Sequence, residues 1–167
     1  MQFKPKTKHE LREAIEKYCE NDDRSNGDIN NWDVSLITDM KNLFSCCYYD
    51  DCSNKLHQFN SPIENWNVSN VKNMSSMFTE CRQFNQSLNN WIVSNVTSMY
   101  NMFFNCEEFN QPLNNWNVSN VIVISEMFYG AVLFNQPLNK WIINNIIDIN
   151  QMFCGIDSLN ESLNEII

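Results

Sequence analysis

One stretch decides the fold: Phe109-Asn-Gln-Pro-Leu113-Asn-Asn-Trp116-Asn-Val118-Ser-Asn-Val121. Close copies of it recur every 25 residues, and the tryptophans mark the period: Trp66, Trp91, Trp116 and Trp141. Trp32 lies 34 residues before Trp66, so the first interval is longer than the others by nine residues (34 against 25). Repetition at a fixed period of this length is typical of repeat architectures, in which each unit covers the apolar face of the next.

Each repeat predicts one short strand followed by one short helix. Trp116 and Val118 alternate with polar residues, which is the pattern of a half-buried strand. From Met99 to Cys106, apolar residues recur at the helical spacing i, i+3, i+4 and i+7. Stacked copies would place the strands in one parallel sheet and the helices on the other side. The predicted fold class is therefore an α/β repeat solenoid that is leucine-rich-repeat-like.

The start of the chain predicts a capping helix. Thr7-Lys8-His9-Glu10 has the form of a capping box, and an apolar face follows as far as about Glu20. Repeat stacks need such a cover on their first unit. We therefore expect an N-terminal capping helix and linker over residues 1–26, and about five repeats plus a truncated sixth over residues 27–167.

The other end of the sequence predicts an uncovered face. Leu159, Leu163 and Ile166 take the Phe, Leu and Trp positions of a sixth copy, which then stops at Ile167. An apolar end with an unpaired edge is a surface that proteins normally cover. These four residues are therefore the predicted contact for self-association or for a docking partner.

The repeat unit also resembles a known family. The run Phe-Asn-Gln-Pro-Leu-Asn-Asn-Trp-Asn-Val-Ser-Asn-Val is similar to the BspA-like surface-protein repeats of mycoplasma surface lipoproteins, other bacterial surface proteins, protists and large DNA viruses. The likeness covers about residues 27–167 and implies a surface or interaction protein. Two departures are the lack of a secretion signal and Val121, which stands where leucine-rich repeats carry asparagine.

Charge and hydropathy limit the partners. The net charge of −9 and the pI near 4.6 argue against nucleic acid or an anionic membrane, because such partners need clustered Lys and Arg. No apolar run resembles a signal peptide or reaches the length of a transmembrane helix. We expect no membrane insertion and an intracellular or virion-associated location.

The cysteines predict core positions more than metal ligands. Their number, seven, is odd and has no framework spacing, which favours reduced thiols. One repeat position holds cysteine in early copies and alanine or isoleucine later, which indicates an apolar filler: Cys47, Cys81, Cys106, Ala131 and Ile156. A zinc site from Cys46, Cys52 and His57, around the insertion at residues 48–58, stays an alternative without the usual ligand spacing.

The sequence offers no catalytic constellation. It has two histidines, no nucleophile motif and no glycine-rich phosphate loop. The recurrent asparagine after each phenylalanine predicts instead a ladder of amides between neighbouring copies: Asn60, Asn85, Asn110, Asn135 and Asn160. We expect no enzyme activity, no cofactor and no metal.

A protein-binding surface is the remaining functional prediction. Alternation from each tryptophan assigns one set of residues to the outward face: Asn65, Asn67, Asn90, Ile92, Asn115, Asn117, Lys140 and Ile142. This face is either merely solvated or a docking surface of the kind that stacked repeats present. The predicted function is a non-catalytic interaction or structural module, as part of a large-virus particle or as a host-directed binder. The alternative is an adhesin-type repeat protein that lacks its export signal.

Overall fold

The fold was analysed in a computed structural model, which describes residues 2–45 and 54–156. Those residues contain two α-helices, α1 (Lys8–Glu20) and α2 (Asn54–His57), and one turn of 3-10 helix, Ile29–Asn31. The rest of the described chain consists of turns and extended segments. Successive repeats lie next to one another and share a continuous core.

The predicted α/β repeat solenoid is wrong. Over the described residues no repeat contains a strand, and neither α-helix recurs with the 25-residue period. Instead of a parallel sheet, isolated parallel bridges join each copy to the next at a single position: Asp39 to Asn73, Asn73 to Ser98, Ser98 to Val123 and Val123 to Asp148.

The segment from Met99 to Cys106 shows why the helix prediction fails. Asn101 and Asn105 both have φ of 54°, which is left-handed and interrupts a right-handed helix. The N–H of Phe103 donates to the carbonyl of Met127 in the next repeat at 2.9 Å, whereas the N–H of Met102 bonds within the turn to Met99 at 3.1 Å. Alternate N–H groups thus leave the segment, so the i to i−4 ladder of a helix never forms.

The strand prediction fails for a related reason. Trp116 and Val118 do point inward while Asn115 and Asn117 are exposed. However, the chain bends directly after this segment, because the N–H of Val121 bonds to the carbonyl of Val118 at 2.9 Å. The β-bridge to each neighbouring copy comes only after the bend and involves one residue in each repeat.

Two columns of stacked phenylalanines fill the core. In the first column Phe103 lies 5.6 Å from Phe78 and 5.5 Å from Phe128, measured between ring centroids. The second column runs beside it, with 4.1 Å between Phe103 and Phe109. Four indole N–H groups donate to a carbonyl of the preceding repeat, as Trp116 does to Leu88 at 2.9 Å; the others are those of Trp66, Trp91 and Trp141. Large aromatic surfaces and satisfied polar tips therefore hold the copies in register.

The predicted N-terminal helix is present as α1. The side chain of Thr7 accepts a hydrogen bond from the N–H of Glu10 at 3.1 Å, as an N-cap residue should. The Glu10 carboxylate reaches back to the N–H of Lys6 at 2.8 Å. Leu11, Ala14 and Ile15 bury one face of α1 in the core. The boundary between residues 26 and 27 stays a prediction.

Candidate functional site

The predicted binding residues form what we call the asparagine face, and all of them are exposed: Asn65, Asn67, Asn90, Ile92, Asn115, Asn117, Lys140 and Ile142. Two of them are apolar. Ile92 is 62% exposed and Ile142 is 63% exposed. They occupy the same position in alternate repeats, where the other copies carry Asn67 and Asn117. The face is thus a column of amides interrupted twice by isoleucine.

Side-chain amides fix the backbone beneath the asparagine face. The Asn117 side-chain oxygen accepts from the N–H of Ser119 at 3.1 Å, which closes a local turn. The Asn114 side-chain oxygen accepts from the N–H of Lys140 in the next repeat at 3.0 Å. A shallow depression lies here, with Asn117, Lys140 and Ile142 on its lining. The exposed groups are therefore carried on a backbone that is braced within and between repeats.

Asparagine ladders run along the stack, as the sequence predicted for one position. The Asn85 side-chain oxygen accepts from the N–H of Asn110 at 3.0 Å and from the Gln111 amide at 2.9 Å. The equivalent asparagine in the next repeat supplies a partner, as predicted, but through its backbone N–H, while the amide-to-amide bond comes from the following glutamine. Asn160 lies outside the described residues. A second ladder was missed: Asn120 donates to the carbonyl of Ser94 at 2.7 Å, and Asn70, Asn95 and Asn145 do the same in their copies. The repeated Ser-Asn pair could have revealed it.

The zinc alternative falls on a part of the chain that is not described. Cys46 and Cys52 lie outside the described residues. The Nδ1 atom of His57 is 2.7 Å from the carbonyl oxygen of Glu80, so this ring nitrogen has a backbone partner. Within residues 2–45 and 54–156, no group of three or more His, Cys, Asp or Glu side chains is placed to hold a metal ion.

Two of the predicted core thiols lie in the core. Cys81 and Cys106 are buried and free of disulfide bonds. Each thiol donates to a carbonyl in the preceding copy, Cys81 to Phe44 at 3.3 Å and Cys106 to Phe78 at 3.0 Å. Burial raises the pKa of the Cys106 thiol well above the ordinary value of 9.0. Cys106 is therefore a protonated filler of the core, as its sequence position indicated.

We expect Cys106 to react with a maleimide far more slowly than Cys154 in the folded protein. Cys154 is exposed, whereas Cys106 is buried and held as the unreactive thiol. Mass spectrometry of the labelled peptides measures both rates in one sample, and labelling in urea is the control, where the rates should become equal. Equal labelling rates in the folded protein would contradict the buried placement.

The raised pKa of the Cys106 thiol also predicts a pH effect on stability. Deprotonation of this thiol favours the unfolded protein, so the free energy of unfolding should fall as the pH rises above 9.0.

Further exposed apolar residues lie away from the asparagine face, and the repeat pattern did not predict them. Ile122 and Ile147 share one repeat position and are exposed, Ile147 by 82%. Ile143 and Ile146 are half-buried, although the equivalent Val118 and Val121 are fully buried in the preceding copy. The last described repeat thus has partly uncovered core positions. The four residues of the predicted end contact lie outside the described residues: Leu159, Leu163, Ile166 and Ile167.

No described helix has both the length and the apolar character needed to cross a membrane. The longest, α1, is amphipathic and buries only one face.

Comparison with known proteins supports a repeat family. No curated protein and no solved structure matches the chain. A family profile described as "Mycoplasma protein of unknown function, DUF285" matches residues 13–49 and 47–166. The resemblance predicted from the repeat is therefore confirmed at the level of a mycoplasma-type repeat family. Because the matched ranges cover far more than half of the sequence, the chain belongs to this DUF285 family.

Proposed function

We propose that the protein is a non-catalytic module that binds another protein through the asparagine face. One observation carries the proposal: Ile92 and Ile142 are more than half exposed on a face that is otherwise polar. An apolar side chain in water gains free energy when a partner covers it. The two isoleucines lie two repeats apart, and equivalent rings of neighbouring repeats are 5.5 Å apart, so the separation is about 11 Å (twice 5.5 Å). One partner could therefore cover both.

The surrounding groups favour a protein as the partner. Asn115 and Asn117 offer amide donors and acceptors that match a polypeptide backbone, and Lys140 adds one positive charge beside Ile142. The braced backbone beneath them reduces the entropy lost on binding. An apolar contact with polar groups at its rim is the usual composition of a protein interface. The net charge of −9 does not favour nucleic acid.

The finer identity is also a proposal. The repeat unit is similar to BspA-like surface proteins, and membership of a mycoplasma-type repeat family supports that likeness. The settings that fit the proposal are a structural component of a large-virus particle or a host-directed binder, with an intracellular or virion-associated location. The alternative is an adhesin-type role at a cell surface. Fractionation separates the two, because recovery from the cytosol or from purified particles favours the first and labelling on intact cells favours the second.

We expect the double variant Ile92→Lys, Ile142→Lys to weaken partner binding by at least about fivefold, which corresponds to a loss of about 1 kcal/mol. Both changes remove apolar contact area and add charge to the proposed interface. The partner is first captured by a photo-crosslinker placed at position 92 and identified by mass spectrometry. Its affinity for the variant is then measured by titration calorimetry.

The matched control is Ile147→Lys. It introduces the same charge at an isoleucine that is even more exposed but lies outside the asparagine face. Binding should be unchanged in this variant, and both variants should unfold at the wild-type temperature. If the double variant binds as tightly as the wild type, or if Ile147→Lys weakens binding equally, the asparagine face is not the interface.

A further inference from the structure

Backbone hydrogen bonds between repeats run in one direction along the segment that follows each bridge. We call this the turn segment; its copies are residues 40–45, 74–81, 99–106, 124–131 and 149–156. In the first copy, the N–H groups of Asn42 and Phe44 donate to carbonyls of the second at 3.0 and 2.8 Å. In the fourth, the N–H of Phe128 donates to the carbonyl of Met152 at 2.9 Å. Each turn segment thus presents carbonyls toward the N-terminal end of the stack and N–H groups toward the C-terminal end.

At the N-terminal end, α1 supplies the missing donors. The carbonyls of Leu43 and Ser45 have no preceding repeat to bond with. The Nη1 atom of Arg12 lies 2.9 Å from the Leu43 oxygen and 3.1 Å from the Ser45 oxygen. In the next repeat the carbonyl equivalent to that of Leu43 belongs to Met77, and it accepts from the N–H of Phe44. Arg12 therefore takes the place of a preceding turn segment.

Packing and charge hold α1 over this end. Leu11, Ala14 and Ile15 are buried against the first repeat. Glu16 accepts from the Nε of Arg12 at 2.6 Å and so orients the guanidinium. Lys8 pairs with the Asp39 carboxylate at 3.0 Å. The helix covers the core and the carbonyl edge together.

The C-terminal end presents the complementary groups. In the last turn segment the N–H groups at the equivalent positions belong to Ile149, Gln151, Phe153 and Gly155, and they have no acceptor among the described residues. Several core positions are only half-buried here, including Ile146 and Ile149.

We propose that this C-terminal end binds the N-terminal end of a second copy of the chain once α1 is displaced, which makes α1 a lid against head-to-tail association. The occupant is a second copy because the two edges match in register. The N–H of Phe153 would face the carbonyl that Arg12 now occupies, and the ring of Phe44 would extend the column that ends at Phe153. A head-to-tail contact of this kind does not close on itself, so it produces open chains of molecules.

Charge opposes the contact and supplies a further readout. Stacking would set Asp148 beside Asp39 of the second copy, because the two share the bridge position. The chain also carries a net charge of −9. Added salt screens both repulsions, so association should strengthen as the salt concentration rises.

The test opens the lid in the intact 167-residue chain in two independent ways. Arg12→Ala removes the donors from the carbonyl edge, and Ala14→Asp places a carboxylate on the buried face of α1. Lys17→Ala, on the exposed side of the same helix, is the matched control. Light scattering coupled to gel filtration should show single chains for wild type and control, and assemblies of two or more chains for the opened variants at the same concentration.

Two results distinguish this contact from nonspecific aggregation. A wild-type chain can bind the exposed N-terminal end of an opened assembly through its own C-terminal end, but its covered N-terminal end cannot accept a further chain. Growth should therefore stop there. Mixing wild type and opened variant in equal amounts should shorten the assemblies. An amine-to-thiol cross-linker should join Lys41 of one copy to Cys154 of another, since both are exposed near the contact. The proposal is wrong if Arg12→Ala keeps the wild-type circular dichroism and stays a single chain. It is equally wrong if the assemblies are not shortened by wild type and lack this cross-link.

Discussion

Replacing Trp116 by alanine should lower the free energy of unfolding by about 3 to 5 kcal/mol, the usual cost of truncating a buried tryptophan. The indole is 2% exposed, stacks on Trp141 at 6.5 Å and lies beside Phe103. Its loss opens a cavity between repeats that the ring columns on either side cannot fill without shifting. It also leaves the carbonyl of Leu88 without its indole donor. Urea unfolding followed by circular dichroism measures the change.

Two variants separate the contributions at this site. Trp116→Phe retains an aromatic ring but removes the bond to Leu88, whose carbonyl keeps its bond from the N–H of Trp91. It should cost about 0.5 to 1.5 kcal/mol, the net contribution of one hydrogen bond. Ile142→Ala changes an exposed residue in the next repeat and should alter stability by less than about 0.5 kcal/mol. If Trp116→Ala costs no more than Ile142→Ala, the indole does not hold the repeats together.

Replacing Gly130 by alanine should destabilise the protein by about 1 to 3 kcal/mol, the usual cost of forcing extra atoms into a filled site. Gly130 has φ of +66°, but this angle alone does not require glycine, since the equivalent Glu80 and Asn105 have φ of 64° and 54°. Space does. A Cβ atom at Gly130 would lie 2.1 Å from the side-chain oxygen of Asn105 in the preceding repeat. Relieving that clash would disturb the Asn105 bond to Glu80, which is 2.6 Å long.

The control for this prediction is Gly27→Ala. Gly27 has a similar φ of +74° but no atom within 4 Å of the added Cβ, so only the backbone strain remains. The double variant Asn105→Ala, Gly130→Ala should recover part of the loss, because the two residues interact directly. Thermal unfolding of the wild type, the single variants Asn105→Ala and Gly130→Ala, and the double variant gives the cycle. Equal costs for Gly27→Ala and Gly130→Ala would contradict the role of the Asn105 contact.

The sequence by itself determined the period, the direction in which side chains point and the N-terminal cap. The positions of Trp116, Val118, Met102 and Phe103 predict burial, and all four are buried. The Thr7 capping signal predicts a helix, and α1 begins at Lys8. These features depend on local chemistry or on the apolar pattern, which a single repeat already contains. Family membership also follows from the repeat, because the profile match extends over the repeats.

Only the tertiary structure decided which backbone groups pair, and this is why the predicted strand and helix are absent. An apolar spacing of i, i+3, i+4 and i+7 buries the same side chains whether the segment is a helix or a series of tight turns. What separates the two is the partner of each N–H, and for Phe103 that partner lies 24 residues away at Met127. The neighbouring repeat satisfies alternate N–H groups, and left-handed residues such as Asn101 direct them toward it. No window of sequence shorter than one 25-residue period contains both partners.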